Sequence, residues 1–384
     1  MDRNDPARRP LQAWLCSRAG PSAAGPGERR RVTPAAGLVL CAVSVVLSGC
    51  ATAAPQSSPS TSAPTTSARS ASSAPGSATP GSPNTSGRVV YQSEHGLALV
   101  NGDGSNNHLL LADPSVKARH PDWSPDGTTI AYEADDSEDT TDIWLVGGDG
   151  ANPRRIVDCR RPCSYAQTPA WSPDGTQIAY SRGDFAPSVT QDIRVIDVAT
   201  GREVKKFTFP AYVGVIDPRW SPDGTKIAYT EQRFKGPASD PQLIDGAVGL
   251  LDVAGSQTNG HPITPWTILG SYPAWSPTGD QIVFQAGDEE PFPGTAGHVS
   301  NIWVVRPDGS GLRQLTHQGS DDPRLFGPDW GGGPHPIRVA IYVPDSSLVL
   351  GMLDPDGSHL QPLTDATTNS SIGGAHQRWT ATPS

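Results

Sequence analysis

Four polar residues whose side chains could do chemistry each stand three positions before a tryptophan. They are His120, Asp217, Tyr272 and His376. Imidazole and carboxylate groups that converge can bind a metal ion or transfer protons. Polar residues at strand ends also serve simply to bond neighbouring strands and water. Both interpretations stay open, and the metal content is not predicted.

Two further pairs combine a cation with an aromatic ring in segments predicted to be loops. They are Arg233 with Phe234, and Arg324 with Phe326. Arginine and aromatic side chains are enriched in binding patches. We therefore predict that these pairs belong to a ligand-binding face together with the residues before the tryptophans. The alternative is that they only plug the mouth of a central channel.

Two acidic segments, 135–139 and 288–290, place several carboxylates close together. Clustered oxygens suit Ca²⁺, whereas a run of charge is usually a solvated loop tip. Neither segment has the spacing of an EF-hand or of another metal-binding loop. We predict no cofactor and assign no catalytic residue.

These residues are positioned by a sequence repeat. The phrase Trp-Ser-Pro-Asp-Gly, followed by Ile-Ala-Tyr, begins at Trp123, Trp171 and Trp220. A partly degenerate copy begins at Trp275 and a strongly degenerate one at Trp330. In the copy at Trp330 we align the Ile-Ala-Tyr part with residues 339–341. Repeats of this period indicate stacked supersecondary units. Pro presets the backbone angle of a turn and Gly tolerates positive φ after it, so each phrase predicts two strands joined by a tight turn.

Each repeat contains four predicted antiparallel strands, as in a propeller blade. The first repeat begins at Arg88 with its second strand, and Trp379 ends the chain as a first strand with nothing after it. Joining these two pieces gives six blades and leaves no free sheet edge. The sequence therefore predicts an all-β, six-bladed β-propeller over residues 88–384, closed by its own termini. A sandwich has no reason to keep such a period.

The repeated phrase resembles the WD40-like repeat of the TolB C-terminal propeller, which also occurs in prolyl oligopeptidase propellers. The resemblance covers residues 88–384 and implies the propeller fold. The chain departs from TolB because it lacks the α/β domain that precedes that propeller. It departs from the oligopeptidases because it has no Gly-x-Ser-x-Gly motif and no residues remain for a hydrolase domain.

The N-terminal segment has the features of an export signal. Residues 1–49 combine seven arginines with a short apolar run over 35–47. The ending Leu47-Ser48-Gly49-Cys50 resembles a bacterial lipobox, which implies that Cys50 is lipidated and becomes the mature N-terminus. An uncleaved anchor or a plain signal peptide are the alternatives. We predict attachment to the outer face of the cell membrane, or a periplasmic or outer-membrane location in a two-membrane envelope.

Residues 50–87 contain the lipid anchor and a linker of almost only Ala, Ser, Thr, Pro and Gly. Such a composition cannot bury enough apolar surface to fold. A flexible coil of this length reaches roughly 30–35 Å. The linker is therefore predicted to hold the propeller just off a membrane.

Charge and cysteines agree with export. Without residues 1–49 the chain keeps 22 basic and 36 acidic residues, a net charge of −14, which makes it a poor candidate for binding nucleic acid. Cys159 and Cys163 are most simply a disulfide in an exported protein. A metal site or a redox pair is the alternative.

Alternating strand directions sort the connections of a propeller onto two faces. We call one the tight-turn face, because it carries the Pro-Asp-Gly turns, and the other the long-loop face. The predicted long loops are 158–168, 183–190, 232–246, 286–299 and 316–327. Long loops on a rigid scaffold usually carry binding functions.

Two functions fit these features. The first is a monomeric binding or scaffolding propeller, anchored to the membrane by its N-terminal lipid, whose long-loop face meets a protein, peptide or glycan of the cell envelope. The alternative is a glycan-directed lyase or hydrolase that acts at the channel mouth, because propellers also host enzymes.

Overall fold

The computed structural model describes the propeller region and not the segments before it. The described residues are 87–93, 95–111, 117–135, 140–184, 191–236, 242–255, 260–287, 299–319, 322–331, 336–342, 349–363 and 378–380. The predicted signal peptide, Cys50, most of the linker and His376 lie outside them. Within these ranges, no helix has the length and apolar character needed to cross a membrane.

The described residues form strands in four-stranded antiparallel units, together with one 3-10 turn at Trp266–Ile268. Unit 1 contains β1 (Arg88–Ser93), β2 (Gly96–Asn101), β3 (His108–Leu111) and β24 (Arg378–Thr380). Unit 2 contains β4 (Arg119–Trp123), β5 (Thr129–Asp135), β6 (Thr141–Gly147) and β7 (Arg154–Val157). Unit 3 contains β8 (Cys163–Trp171), β9 (Gln177–Asp184), β10 (Gln191–Asp197) and β11 (Glu203–Thr208).

The remaining three units follow the same order. Unit 4 contains β12 (Val213–Trp220), β13 (Lys226–Lys235), β14 (Gln242–Asp252) and β15 (His261–Pro262). Unit 5 contains β16 (Ser271–Trp275), β17 (Ile282–Gly287), β18 (Ser300–Val305) and β19 (Arg313–Gln314). Unit 6 contains β20 (Arg324–Trp330), β21 (Ile337–Tyr342), β22 (Val349–Leu353) and β23 (Gln361–Pro362). A parallel bridge between Thr141 and Tyr165 joins units 2 and 3 into one sheet.

The last strand closes the fold as predicted. Strand β24 pairs antiparallel with β1, with Trp379 opposite Val89. The first strands of successive units contact one another in order, from β4 through β8, β12, β16 and β20, and β24 contacts both β20 and β4. The units therefore close on themselves, and the predicted all-β propeller is confirmed.

The second strand of each unit is buried on both faces, between its neighbours. Ile130, Ala131 and Tyr132 are each at most 1% exposed, so this strand is a continuous apolar run and does not alternate. The spacing of seven residues from tryptophan to the first isoleucine recurs in unit 6, where Trp330 pairs with Ile337. The alignment of the worn repeat with 339–341 is therefore wrong by two residues, because the eroded turn hides the spacing.

Each repeated turn is held by hydrogen bonds of its own side chains and by packing against the turn of the preceding unit. The Ser124 hydroxyl donates to Asp126, whose carboxylate also accepts the Thr128 N–H at 3.1 Å. The hydrogen bond from Ser124 lowers the pKa of Asp126. A Cβ added to Gly224, at φ 70°, would lie 3.3 Å from Pro173 of the preceding unit. The Gly of one turn thus lies against the Pro of the preceding turn from unit 2 to unit 5.

Candidate functional site

The residue three positions before the tryptophan lies at a bulge in each first strand of units 2 to 6. The bulge residues are His120, Thr168, Asp217, Tyr272 and Gly327, with φ between 48° and 56°. Each of them precedes a proline, and the pairing of each first strand shifts register there. Because five units share the bulge, it belongs to the architecture, and the left-handed φ of His120 does not by itself mark a functional site.

A chain of hydrogen bonds at the bulges links units 2 to 6 in order. The donor is the N–H of a bulge residue, and the acceptor is a side chain of the preceding unit. The pairs are Thr168 to Glu133 (2.8 Å), Asp217 to Thr168 (3.2 Å), Tyr272 to Thr230 (3.0 Å) and Gly327 to Gln285 (3.1 Å). Glu133, Thr230 and Gln285 directly follow the aromatic residue of the repeated phrase. The sequence analysis missed them, although a polar residue in an apolar strand is a readable signal.

Glu133 is the most heavily engaged of these acceptors. Its carboxylate, 2% exposed, accepts hydrogen bonds from Arg119 Nε (3.0 Å) and the Thr168 N–H (2.8 Å), and His120 Nδ1 lies 2.8 Å from one of its oxygens. Burial alone would raise the pKa of Glu133, but the close approach and charge of His120, the charge of Arg119 and the hydrogen bond from the Thr168 N–H bring it down to about 2. Arg119 also forks onto Asp135, at 2.6 and 3.1 Å. The carboxylate of Glu133 is therefore ionised, and its role is to hold residues of units 2 and 3 together.

Asp217 and Tyr272 continue the buried cluster in units 4 and 5. Asp217 is 1% exposed; burial raises its pKa, and the charges of Arg219 and His120 act against that rise. Burial and the charge of Asp217 raise the pKa of Tyr272. The charge of His120 thus acts on Asp217 and that of Asp217 on Tyr272, while His376 lies outside the described residues. In the described part of the chain no group of His, Cys, Asp and Glu is placed to hold a metal ion.

Arg233 and Phe234 lie on a strand and not in a loop, which corrects the predicted loop 232–246. Strands β13 and β14 continue their pairing across a bulge, with Arg233 opposite Asp245 and Phe234 opposite Leu243. The Arg233 guanidinium binds both oxygens of Asp245 and stacks 4.0 Å above the Trp266 ring. The segment was predicted to be a loop because it is polar. It is polar because both faces of this end of the β13–β14 hairpin are exposed to solvent.

Arg324 and Phe326 also lie on a strand, β20, which corrects the predicted loop 316–327. Phe326 is 8% exposed and packs in a hydrophobic cluster with Tyr91 and Leu350. Arg324 is 9% exposed, and its guanidinium lies 5.9 Å from the Tyr342 ring centroid. The loop was predicted too long because the bulge at Gly327 interrupts the apolar pattern of the strand.

Cys159 and Cys163 form a disulfide with an S–S distance of 2.05 Å. It closes the connection between β7 and β8 on the long-loop face. The Cys159 N–H donates to the buried carboxylate of Asp142 at 2.7 Å, which also accepts Arg155 at 2.9 Å. The acidic residues 136–139 and 288–290 lie outside the described residues.

A cleft of about 350 Å³ opens on the tight-turn face between units 4 and 5. It is bordered by Ser221, Lys226, Trp275 and Pro307. None of the residues predicted for the ligand-binding face lines it. The cleft follows from the packing of two neighbouring turns.

Comparison with known proteins bears on the fold. No protein-family model matches the chain, and no curated protein matches it significantly. TolB from Acinetobacter baumannii is similar with a TM-score of 0.56 at 16% identity, over 77% of this chain and 67% of that chain. A chain of the nidogen/laminin complex is similar with a TM-score of 0.54 at 10% identity, over 78% of this chain and 100% of that chain.

An oligogalacturonate lyase in complex with manganese gives a TM-score of 0.47 at 15% identity, over 71% of each chain. That score is too low to bear on a shared reaction. At the identities of all three structures the likeness concerns architecture and not activity. The chain therefore has the β-propeller fold that is also found in TolB.

Proposed function

We propose that this chain is an exported, membrane-anchored propeller that binds a protein or peptide of the cell envelope through its long-loop face. The observation that carries the proposal is an exposed patch on unit 4. Tyr212 and Ile244 are 44% and 51% exposed, and they border the hairpin end where Arg233 stacks on Trp266. Apolar and aromatic side chains held at a surface, with arginine among them, are typical of protein interfaces.

The place where the linker joins the propeller supports the choice of the long-loop face as the binding face. Gly87, where the linker meets the propeller, accepts a hydrogen bond from the Gly102 N–H in a tight turn. Arg88 donates to the Gly127 and Gly148 carbonyls, which lie in tight turns of unit 2. The linker thus joins the tight-turn face. An attachment point on the tight-turn face leaves the long-loop face available to a partner.

The bonding of the channel mouth favours binding over catalysis there. Glu133 is occupied by Arg119, His120 and a backbone N–H of the next unit. These bonds give the buried polar groups a structural role in joining units. We therefore advance the binding function and not the lyase or hydrolase alternative.

Placing a photo-crosslinking residue at position 244 of the full chain, in cells that produce it, is the first test. We expect an adduct with a defined partner, and Ile244→Asp should weaken capture of that partner about tenfold because a charge replaces buried apolar area at the interface. Val204 on β11 is the matched control, since it is also 51% exposed but lies on an outer strand. Equal crosslinking from positions 244 and 204 would contradict the proposal that the long-loop face is the binding face.

The lipid anchor gives a second expected result. Cys50→Ala should move the chain from the membrane fraction to the soluble fraction, because it removes the residue predicted to carry the acyl chains and the apolar run over 35–47 is too short to span a bilayer stably. Cell fractionation measures this. Cys16→Ala is the control, since that cysteine lies within the predicted signal peptide and should leave the distribution unchanged. If Cys50→Ala stays with the membrane, the uncleaved-anchor alternative is correct.

A further inference from the structure

We propose that the ring of units opens more readily between units 1 and 2 than between units 4 and 5, and that Arg88 holds the first of these joints closed. A joint is the contact surface between two neighbouring units. Arg88 begins strand β1 and directly follows Gly87, where the linker meets the propeller. This property of the ring is independent of the binding function proposed above.

Unit 1 leaves unused an acceptor that other units use to bond the next unit. Glu133, Thr230 and Gln285 each accept the bulge N–H of the following unit. Gln92 holds the same place in unit 1, directly after the aromatic residue Tyr91. Among the described residues, its Oε1 atom is buried and has no hydrogen-bond partner. A buried oxygen without a donor lowers stability, so the Gln92 side chain does not hold the joint as its counterparts do.

Unit 2 leaves a repeated donor unused on its side of the same joint. In units 4 and 5 the tryptophan indole N–H donates to a carbonyl of the preceding unit, from Trp220 to Ala170 at 3.2 Å and from Trp275 to Arg219 at 3.0 Å. The Trp123 Nε1 atom is buried and has no hydrogen-bond partner in the part of the chain that the structure describes. Both bonds are therefore made between units 4 and 5, and neither unused atom makes its bond between units 1 and 2.

Trp171 in unit 3 also has a buried indole N–H without a partner within the described ranges. The joint between units 2 and 3 is nevertheless bonded in other ways. The Trp171 backbone N–H donates to Asp122 at 2.7 Å, and the Thr168 N–H donates to Glu133 at 2.8 Å. An unused indole therefore weakens a joint only where other bonds do not replace it.

Arg88 supplies contacts of a different kind between units 1 and 2. Its guanidinium lies 4.6 Å from the centroid of the Trp123 ring. It also donates to the carbonyls of Gly127 at 2.9 Å and of Gly148 at 3.3 Å. A cation over an indole ring and hydrogen bonds from a charged donor are each stabilising. One side chain of unit 1 thus holds the tryptophan and two turns of unit 2.

The space for the Arg88 guanidinium depends on Gly148. A Cβ atom added at Gly148 would lie 2.9 Å from the Trp123 ring and 3.4 Å from Arg88 Nη2. Lys226 begins the second strand of unit 4 as Arg88 begins that of unit 1, but it pairs with Asp252 of its own unit. A cation at this place in the repeat therefore does not by itself bridge two units.

Thiol labelling of the purified full chain in detergent tests the opening of the two joints. Ala134 and Ala286 are at most 1% exposed, and each stands two positions after the aromatic residue of its repeat. Ala134 packs in the cluster between units 1 and 2, and Ala286 in the cluster between units 4 and 5. A thiol-specific reagent should label Ala134→Cys about tenfold faster than Ala286→Cys, because a buried group reacts only when its surroundings open locally.

Arg88→Met in each labelling background then tests the role of Arg88. It should speed labelling at position 134 about tenfold and leave position 286 unchanged, because it removes the ring contact and both hydrogen bonds. Lys226→Met is the matched control and should leave the rate at position 134 unchanged. Gly148→Ala approaches the same contacts from unit 2 and should also speed labelling at position 134.

Equal labelling at positions 134 and 286 in the otherwise unchanged chain would overturn the proposal. So would acceleration of both positions alike by Arg88→Met, which would indicate a general loss of stability, or an equal effect of Lys226→Met at position 134. If Arg88→Met does not fold, Gly148→Ala decides the role of Arg88, and an unchanged rate at position 134 in that variant rejects it.

Discussion

Replacing Glu133 by alanine is expected to lower the free energy of unfolding by about 3–5 kcal/mol, the range seen when one partner of a buried ion pair is removed. The substitution leaves Arg119 with Asp135 as its one remaining carboxylate among the described residues, and it removes the acceptor of the Thr168 N–H and the carboxylate 2.8 Å from His120 Nδ1. It also removes one of the hydrogen bonds between units 2 and 3. Chemical denaturation of the wild type and the variant measures the difference.

The control is another glutamate paired with an arginine. Glu203 binds Arg194 at 2.7 Å but is 39% exposed, so Glu203→Ala should cost at most about 1 kcal/mol. If the two variants lose the same stability, Glu133 is not the structural centre described above.

The same carboxylate gives a pH dependence of known sign. The pKa of Glu133 is lowered from 4.5 to about 2 in the folded chain, so the stability it contributes is present above pH 4.5 and is lost as the pH falls towards 2. The shift corresponds to on the order of 3 kcal/mol. The gap in unfolding free energy between wild type and Glu133→Gln should therefore close between these pH values.

The architecture was predictable because each of its devices repeats. The tryptophan-to-isoleucine spacing, the Pro-Asp-Gly turns and the split first unit predicted a closed propeller, and the pairing of Val89 with Trp379 confirms the closure. Such signals are local in sequence. They depend on turn residues and on apolar periodicity, and both recur in the copies of the repeat.

The details of the candidate site were less predictable because they depend on where strands end. Arg233 and Arg324 stand in polar or interrupted segments that resemble loops, yet both lie on strands. Backbone pairing beyond a bulge extends these strands, and sequence periodicity carries no trace of it. Likewise, the bond from the Thr168 N–H to Glu133 joins residues 35 apart, a contact that only the stacking of units creates.

Removing the last strand is expected to have the second large effect, because it opens the ring. A chain that ends at residue 377 lacks β24, which pairs with Arg88, Val89 and Val90 and contacts β4 and β20. Val89 and Val90 are fully buried and would border an open sheet edge. Lost ladder bonds and newly exposed apolar surface together should cost on the order of 5 kcal/mol.

Two readouts report the opening of the ring. The melting temperature should fall by about 10 °C or more, and the truncated chain should self-associate, because a free edge of β1 offers unpaired backbone groups to another chain. Deleting only residues 381–384, which follow β24, is the matched control and should change neither quantity. A chain ending at 377 that stays monomeric and melts with the wild type would mean that β24 adds a strand without closing the fold. In that case the division into a tight-turn face and a long-loop face would still follow from the strand directions, but the rigid mouth around Glu133 and Asp217 would need another source of support.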